Sequence, residues 1–262
     1  MVSLLPTLTT CRTVVLYGPR FGRWGPTGPF VERSTSSRVS IITNSSFSPI
    51  WFLLPSSFHG SPVFRNQYTF HTGGNQVCNI PEQVPVVNNA PALNFTGSVM
   101  HTNCSSTPSS NTGCAVLDAG NSSYGQAFAQ VGGGVFALLW NSEGIKIWHF
   151  ERQSIPGDVH SPNPDPDSWP TPNTFLSAEN CDVDSFFSPQ WLIFDIDLCG
   201  GWANGNYYAP NSGCPVGGTC AQQVTTGSNF ISAYLVIFLP VLFTNMNPDA
   251  TWVINNVTVY NS

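Results

Sequence analysis

The stretch that decides the fold is Val135-Phe136-Ala137-Leu138-Leu139-Trp140-Asn141-Ser142-Glu143-Gly144-Ile145-Lys146-Ile147-Trp148-His149-Phe150. Two runs of strand-forming residues, Val135 to Trp140 and Ile145 to Phe150, flank a polar turn, Asn141 to Gly144, that ends in glycine. That pattern reads as a β-hairpin, because a turn carrying Gly lets the chain reverse while both runs stay extended. Successive side chains of a strand point to opposite faces. The second run therefore puts Ile145, Ile147 and His149 on one face and Lys146, Trp148 and Phe150 on the other.

Working outward, Trp191 to Leu198 reads as a strand with Leu192, Phe194, Ile196 and Leu198 on one face and Trp191, Ile193, Asp195 and Asp197 on the other. Trp252 to Tyr260 reads as a closing strand, and the proline-rich Ser161 to Pro172 as a loop. No stretch carries convincing helical periodicity. The 262 residues suffice for one domain with a sizeable core. Only 8% are charged, 13% are aromatic, and there are 23 Gly and 22 Pro, a composition that suits an all-β protein with many turns. The expected product is a β-sandwich.

Composition also excludes function classes. The net charge of -6, with no basic stripe, argues against nucleic acid as a partner. The apolar run from Ala233 to Phe243 is too short for a membrane span, which needs about 20 residues, and it carries Pro240. Met1 to Pro6 lacks the positive start and long apolar stretch of a secretory signal peptide.

Of the cysteines, Cys78, Cys104, Cys114, Cys181, Cys199, Cys214 and Cys220 lie in the later part of the chain and Cys11 stands apart near its start. Spacing does not assign pairs, although Cys104 and Cys114 flank a Ser/Asn loop and Cys214 and Cys220 flank a Gly-rich turn. A metal site is the alternative, and it lacks tight Cys-x-x-Cys pairs. Glycosylation sequons stand at Asn94, Asn103, Asn121 and Asn256. Such triplets arise often by chance in a chain rich in Asn, Ser and Thr. Together with the cysteines they favour an extracellular protein.

One stretch makes poor sense as protein. Val31-Glu32-Arg33-Ser34-Thr35-Ser36-Ser37-Arg38-Val39 can be spelled GTG GAG AGA TCG ACA TCA TCG AGG GTG TC. Read two bases later, the same string gives Gly-Glu-Ile-Asp-Ile-Ile-Glu-Gly-Val. From Cys11 to Phe30 the shifted frame permits Met-Pro-Tyr-Gly-Cys-x-Val-Trp-Pro-Ala-Phe-Trp-Thr-Val-Gly-Pro-Asn-Trp-Pro, with the Gly after Val forced by Trp24 and Gly25. Both shifted segments resemble the catalytic strand, and the chain that leads into it, of glycoside hydrolase family 16, the fungal laminarinase-like endo-β-glucanases.

The chain as written carries the resemblance onward from about Phe58. Asn66 to Thr72 resembles the strand that follows the catalytic one. Further matches in order are Phe95 to Val99, Gly132 to Ala137, Ile147 to Phe150, Ile155 to Asp158, and Phe194 to Ala203. The resemblance narrows the sandwich to an all-β jelly roll of the concanavalin A-like lectin and glucanase type, truncated at its N-terminus. It also divides the chain. Residues 1–39 read as an out-of-frame segment, 40–58 as intron-derived, and 59–262 as the C-terminal part of the glucanase sandwich, with an intron-derived insert around 235–250. Val39-Ser40 can encode a donor-like GTGAGT and Pro55-Ser56-Ser57 an acceptor-like CCTTCCAG. For the second insert a retained intron ranks first, an irregular hydrophobic loop second and a membrane anchor third.

The family motif Glu-x-Asp-x-x-Glu supplies a nucleophile, a tuning Asp and an acid/base. Retaining hydrolysis wants two carboxyls about 5 to 5.5 Å apart, and crowded negative charge keeps the acid protonated. The chain as written holds none of the three. The motif's nucleotides overlap Val31, Glu32, Arg33, Ser34, Thr35, Ser36, Ser37 and Arg38, and Glu32 has no partner carboxylate. Asp195 and Asp197 share a strand face but read as sheet-edge or structural residues sooner than as a substitute pair. Two residues match sugar-binding positions of the family. His71 corresponds to a His beside the catalytic strand, and Trp202 to a cleft Trp able to stack on a pyranose ring. Gly201 stands where the family usually has Asp. Trp140 and Trp148 read as core.

The resemblance implies a retaining endo-β-1,3 or β-1,3/1,4-glucanase acting on β-glucan polysaccharide, with no cofactor and no metal. Its intact product would be extracellular or in the cell wall, a monomer, with no nucleic-acid or membrane partner. The written chain is expected to be inactive and poorly folded. A non-catalytic glycan-binding sandwich and a pseudogene product are the rivals.

Overall fold

The computed structural model describes residues 12–17, 35–43, 50–53, 65–73, 76–82, 94–107, 109–187, 190–198, 219, 222 and 254–261. In chain order the strands are β1 (Arg12–Tyr17), β2 (Thr35–Thr43), β3 (Ile50–Leu53), β4 (Gln67–Phe70), β5 (Ser98–His101), β6 (Cys114–Leu117), β7 (Gly134–Asn141), β8 (Gly144–Glu151), β9 (Thr174–Ser177), β10 (Gln190–Leu198) and β11 (Asn256–Asn261). They form a five-stranded sheet in the order β11-β1-β7-β8-β9 and a six-stranded sheet in the order β10-β2-β3-β4-β6-β5.

The β7–β8 hairpin pairs Asn141 with Gly144, Trp140 with Ile145 and Leu138 with Ile147. Only Ser142 and Glu143 lie between the strands, so the turn is tight. Gly144 has φ 137°, and a Cβ there would meet the Leu176 carbonyl oxygen of β9 at 2.1 Å. No other residue type fits between the turn and its neighbouring strand. One face of the hairpin turns to the other sheet. Leu138, Trp140, Ile145 and Ile147 pack with Leu176 against Tyr68, Phe70 and Val116 of β4 and β6, all buried. This is the core of a two-sheet sandwich, built by period-two alternation on both sides.

The opposite face of the hairpin carries a second core. Val135, Ala137, Leu139, Trp148 and Phe150 are covered by Val159 and Trp169 from the proline-rich connection. That connection is a loop as its composition predicts, with one 3-10 turn at Pro166–Ser168. Its rings are fixed by hydrogen bonds as well as by area. Trp148 Nε1 donates to the Pro170 carbonyl at 2.7 Å and Trp169 Nε1 to Asp158 Oδ1 at 3.0 Å. The Trp169 ring meets Trp148 and Phe150 edge-on, with centroids 5.2 and 5.6 Å apart. Each buried aromatic contributes about 1.5–3 kcal/mol relative to exposure. Trp140 and Trp148 are thus both core residues, 6% and 2% exposed, on opposite faces of one sheet.

Among the described residues two disulfides are formed. Cys104 pairs with Cys114, as their flanking of one polar loop suggests, and Cys78 pairs with Cys181 across 103 residues. Closing a loop of that length removes about 4.7 kcal/mol of unfolded-chain entropy on the chain-entropy estimate. Cys11, Cys199, Cys214 and Cys220 lie outside the described residues.

Two expectations need adjustment. Helices exist where none is legible by periodicity: α1 (Gly125–Gln130) and α2 (Val183–Phe186). Both are too short to show a repeating apolar face, and α2 depends on its cap, the Asp182 carboxylate accepting from Ser185 N at 3.1 Å. The closing strand is described from Asn256, with Ile254 and Asn255 ahead of it outside the strand, and Trp252 and Val253 lie outside the described residues. The strand from Trp191 is present, one residue longer at its start, and Leu192 packs against the inter-sheet core.

Candidate functional site

Strand β4 sends alternate side chains to the two faces of the six-stranded sheet. Tyr68 and Phe70 enter the inter-sheet core, so Thr69 and, just past the strand, His71 belong to the opposite face. His71 is 4% exposed and Thr69 fully buried. The His71 ring is gripped at both nitrogens, with Nδ1 3.0 Å from Ser106 Oγ and Nε2 3.3 Å from Thr69 Oγ1. Gly113, at φ 67°, runs beneath the ring; a Cβ there would lie 2.8 Å from His71 Nδ1 and 2.5 Å from the Phe70 carbonyl oxygen.

The sheet order places β2 and β3 between β4 and β10. Thr35, Ser36, Ser37 and Arg38, the part of the motif-overlapping stretch that is described, lie in β2 opposite Leu198, Asp197, Ile196 and Asp195 of β10. Val31, Glu32, Arg33 and Ser34 lie outside the described residues, as does Trp202. Asp195 and Asp197 are placed on β10 by register alone. The described backbone therefore places Thr35–Arg38 on β2, two strands from β4, at whose end His71 stands.

A second polar constellation lies between the sheets. Asp118, immediately after β6, is fully buried. Its Oδ2 accepts a short hydrogen bond from the Tyr68 hydroxyl. Its Oδ1 accepts from Gly120 N at 2.6 Å and from Asn173 Nδ2 at 3.1 Å. His149 Nδ1 stands 3.6 Å from Oδ2. Asn173 also accepts from His149 N through its Oδ1 at 2.7 Å, so one amide ties the hairpin to the carboxylate. Arg65 adds a hydrogen bond to the Asp118 carbonyl at 3.1 Å.

Burial dominates the electrostatics of this cluster. Removal from water pushes the Asp118 carboxyl up to about 6, while its hydrogen bonds from Tyr68, Gly120 and Asn173 and the Arg65 charge pull the other way. Burial pushes the His149 imidazole down to about 4 and, with the Asp118 charge beside it, holds the Tyr68 phenol well above its ordinary value. The His149 ring stacks on Phe136 at 4.9 Å and lies 5.7 Å from Phe128, and its Nε2 is buried without a hydrogen-bond partner. A carboxylate this deep cannot reach a polysaccharide. The cluster joins β4, β6, β8 and the turn before β9, and its work is structural.

Sequence reasoning placed His149 on a face but not its partners, and it did not single out Ser106 or Asp118. The signal for Asp118 was a lone acid closing an apolar strand; Ser106 had none beyond lying between paired cysteines. Among the described residues no group of three or more His, Cys, Asp or Glu side chains could hold a metal ion, and no helix is long and apolar enough to cross a membrane.

Residues 61–239 match the model of the XgeA-like catalytic GH16 domain. A Schizosaccharomyces pombe protein named as a probable glycosidase is 40% identical over 172 residues, 64% of this chain and 38% of its own. An endo-1,3(4)-beta-glucanase of Arthroderma benhamiae is 34% identical over 200 residues, 75% of this chain and 38% of its own. The chain therefore spans about 38% of the length of these curated relatives. Among solved structures, GH16 Laminarinase 16A from Phanerochaete chrysosporium, with beta-glucans (6-O-glucosyl-laminaritriose) in donor and acceptor sites, superposes with a TM-score of 0.64 at 27% identity, covering 85% of this chain and 68% of that one.

Proposed function

The chain belongs to the XgeA-like catalytic domains of glycoside hydrolase family 16, and from that premise we propose that its gene specifies a retaining endo-β-1,3 or β-1,3/1,4-glucanase whose chain as written is inactive. The observation that carries the reading is the joint position of two things. The family match begins at residue 61, and the nucleotides that spell Gly-Glu-Ile-Asp-Ile-Ile-Glu one frame away lie just ahead of it, under Val31 to Arg38. Residues 1–39 are then out-of-frame product and 40–58 intron product, with a second insert around 235–250, of which the first residues still fall within the family match. That β2 crosses the boundary after Val39 fits this reading physically. A gap between β4 and β10 offers unpaired backbone donors and acceptors, and a strand-length segment of any origin can satisfy them.

In the corrected product the motif strand would bring one ionised and one protonated carboxyl to opposite sides of the glycosidic bond, about 5 to 5.5 Å apart. The first attacks the anomeric carbon as the second protonates the departing sugar oxygen. Water then resolves the glycosyl-enzyme, with the second carboxylate as base. His71 would hydrogen-bond a carboxylate or a sugar hydroxyl, and Trp202 would stack on a pyranose ring. The two disulfides suit an oxidising compartment, and an extracellular or wall-associated monomer acting on β-glucan is the proposed setting.

Sequencing the spliced transcript across codons 1–70 and 225–255 tests the reading. The expected transcript drops both inserts and reads Glu-Ile-Asp-Ile-Ile-Glu in frame, and its product cleaves laminarin with the β-anomer appearing first by NMR. A transcript that reads as written would overturn it, leaving a glycan-binding or functionless product.

A further inference from the structure

The loop between Cys104 and Cys114 is polar, yet it is tied to the body of the molecule at several points. Its disulfide closes the two ends. Thr72 N donates to the Cys104 carbonyl at 2.8 Å and Ser106 N to the Thr72 carbonyl at 2.9 Å, so the loop runs beside the exit of β4 as a short parallel ladder. Its tip is locked by reciprocal backbone bonds between Thr107 and Ser110, at 2.9 and 3.1 Å. Cys104 N reaches the Cys78 carbonyl at 3.0 Å, which couples the loop to the second disulfide. All of this converges on one side chain. Ser106, 7% exposed, holds its hydroxyl 3.0 Å from His71 Nδ1. The ring has room to lie there because the residue beneath it, Gly113, has no Cβ.

We propose that Ser106 is a positioning residue for His71: the disulfide-closed loop presents its hydroxyl as a donor to Nδ1 and thereby places the ring proton on Nε2. A neutral imidazole has one donor and one acceptor nitrogen, and a hydroxyl can serve either. Ser106 can rotate its proton onto Nδ1, and the 3.0 Å separation admits that bond. The Nε2–H then points along the strand face toward Thr69, two residues back on the same side of β4. This form is also the one a free neutral histidine favours. With the proton fixed there, Nε2–H rests on the Thr69 hydroxyl in the sugar-free chain and is an oriented donor for an oxygen acceptor, a carboxylate or a sugar oxygen, that takes the place of Thr69. The assignment of His71 to glucan recognition rests on the function proposed above; the brace itself does not.

Long-range proton–nitrogen NMR of the full chain, labelled with 15N and read without sugar, tests it. The expected spectrum shows His71 Nδ1 as the unprotonated, pyridine-like nitrogen and Nε2 as the protonated one. In Ser106→Ala both His71 nitrogens should shift toward averaged values, while those of His149 stay in place and serve as the internal standard for folding. Ser106→Thr, which keeps the hydroxyl, should restore the wild-type pattern. The double variant Cys104→Ser, Cys114→Ser should behave like Ser106→Ala. Protonated Nδ1 in the wild type, averaged His71 signals in the wild type, or an unmoved His71 in Ser106→Ala would each overturn the proposal. If Ser106→Ala moves His149 as well, the Thr variant decides: a lost pattern there overturns the assignment and a retained one upholds it. Because no sugar is present, failure of the brace leaves glucan recognition standing, and failure of glucan recognition leaves the brace standing.

Discussion

The side chains of His71 and His149 are both withdrawn from solvent, the first in a residue only 4% exposed and the second itself 3% exposed, yet they are held in different ways. His71 has a hydroxyl oxygen at each ring nitrogen. His149 is sandwiched near two phenylalanine rings, with one nitrogen 3.6 Å from a buried carboxylate and the other without a partner. Hydrogen bonds at both ends orient a ring; aromatic walls only enclose it. The first arrangement suits a residue that must present a particular proton. The second suits a residue whose role is to stay neutral and fill the seam between two sheets.

The comparison breaks most severely if the inter-sheet cluster loses its acid. Asp118→Ala would strand the Tyr68 hydroxyl, the Gly120 amide and the Asn173 amide in the core. A loss of about 3–5 kcal/mol is expected, read as a lower denaturant midpoint, while the His71 signals of any remaining folded chain stay in place. A loss below about 1 kcal/mol would mean that the cluster is not the seam described.

The pH dependence sharpens the same contrast. His149 has its pKa lowered from 6.5 to about 4, so between those values the unfolded chain binds more protons, and this contribution to stability is full above 6.5 and lost as pH falls toward 4. Asp118 has its pKa raised from 3.8 to about 6, so there the folded chain binds more protons, and stability is lost as pH rises through that window. Each amounts to about 3 kcal/mol at 1.36 kcal/mol per unit, and the two nearly cancel. The unmodified chain should therefore be almost flat between pH 4 and 6. His149→Phe should become less stable as pH rises across that range, and Asp118→Asn should become more stable. Chemical denaturation at a series of pH values checks both, and parallel slopes in the two variants would refute the assignment.

A smaller effect is expected beneath His71. Gly113→Ala combines a left-handed backbone with a Cβ directed at the ring and the Phe70 carbonyl, for a cost of about 1–3 kcal/mol. Its mark is a shift of the His71 ring signals larger than that of His149. The smallest effect lies on the surface. Glu143 and Lys146 make a 2.7 Å ion pair at the exposed hairpin turn, and Glu143→Gln should change stability by only about 0–0.5 kcal/mol, with both histidines unmoved.

How much of this was legible differs from residue to residue. The hairpin could be read outright, since alternation and a glycine turn are local facts, and the burial of Ile145, Ile147 and His149 on one face follows from the backbone period. Family membership was legible from short segments in order. The cap at Asp182 and the one-turn helix behind it were not, because a single turn has no repeat to detect. Nor was the covering of Trp148 by Trp169, which depends on how a proline-rich connection folds back.

By itself the sequence determined the β7–β8 hairpin with its two faces, the family, and the cysteine-flanked loop, because each depends on residues close together along the chain. Only the tertiary structure decided that Cys78 meets Cys181, that Ser106 meets His71, and that Tyr68, Asp118, His149 and Asn173 share one buried site. Those contacts join residues 24 to 103 positions apart. The register and stacking of two whole sheets bring them together, and no local pattern encodes that.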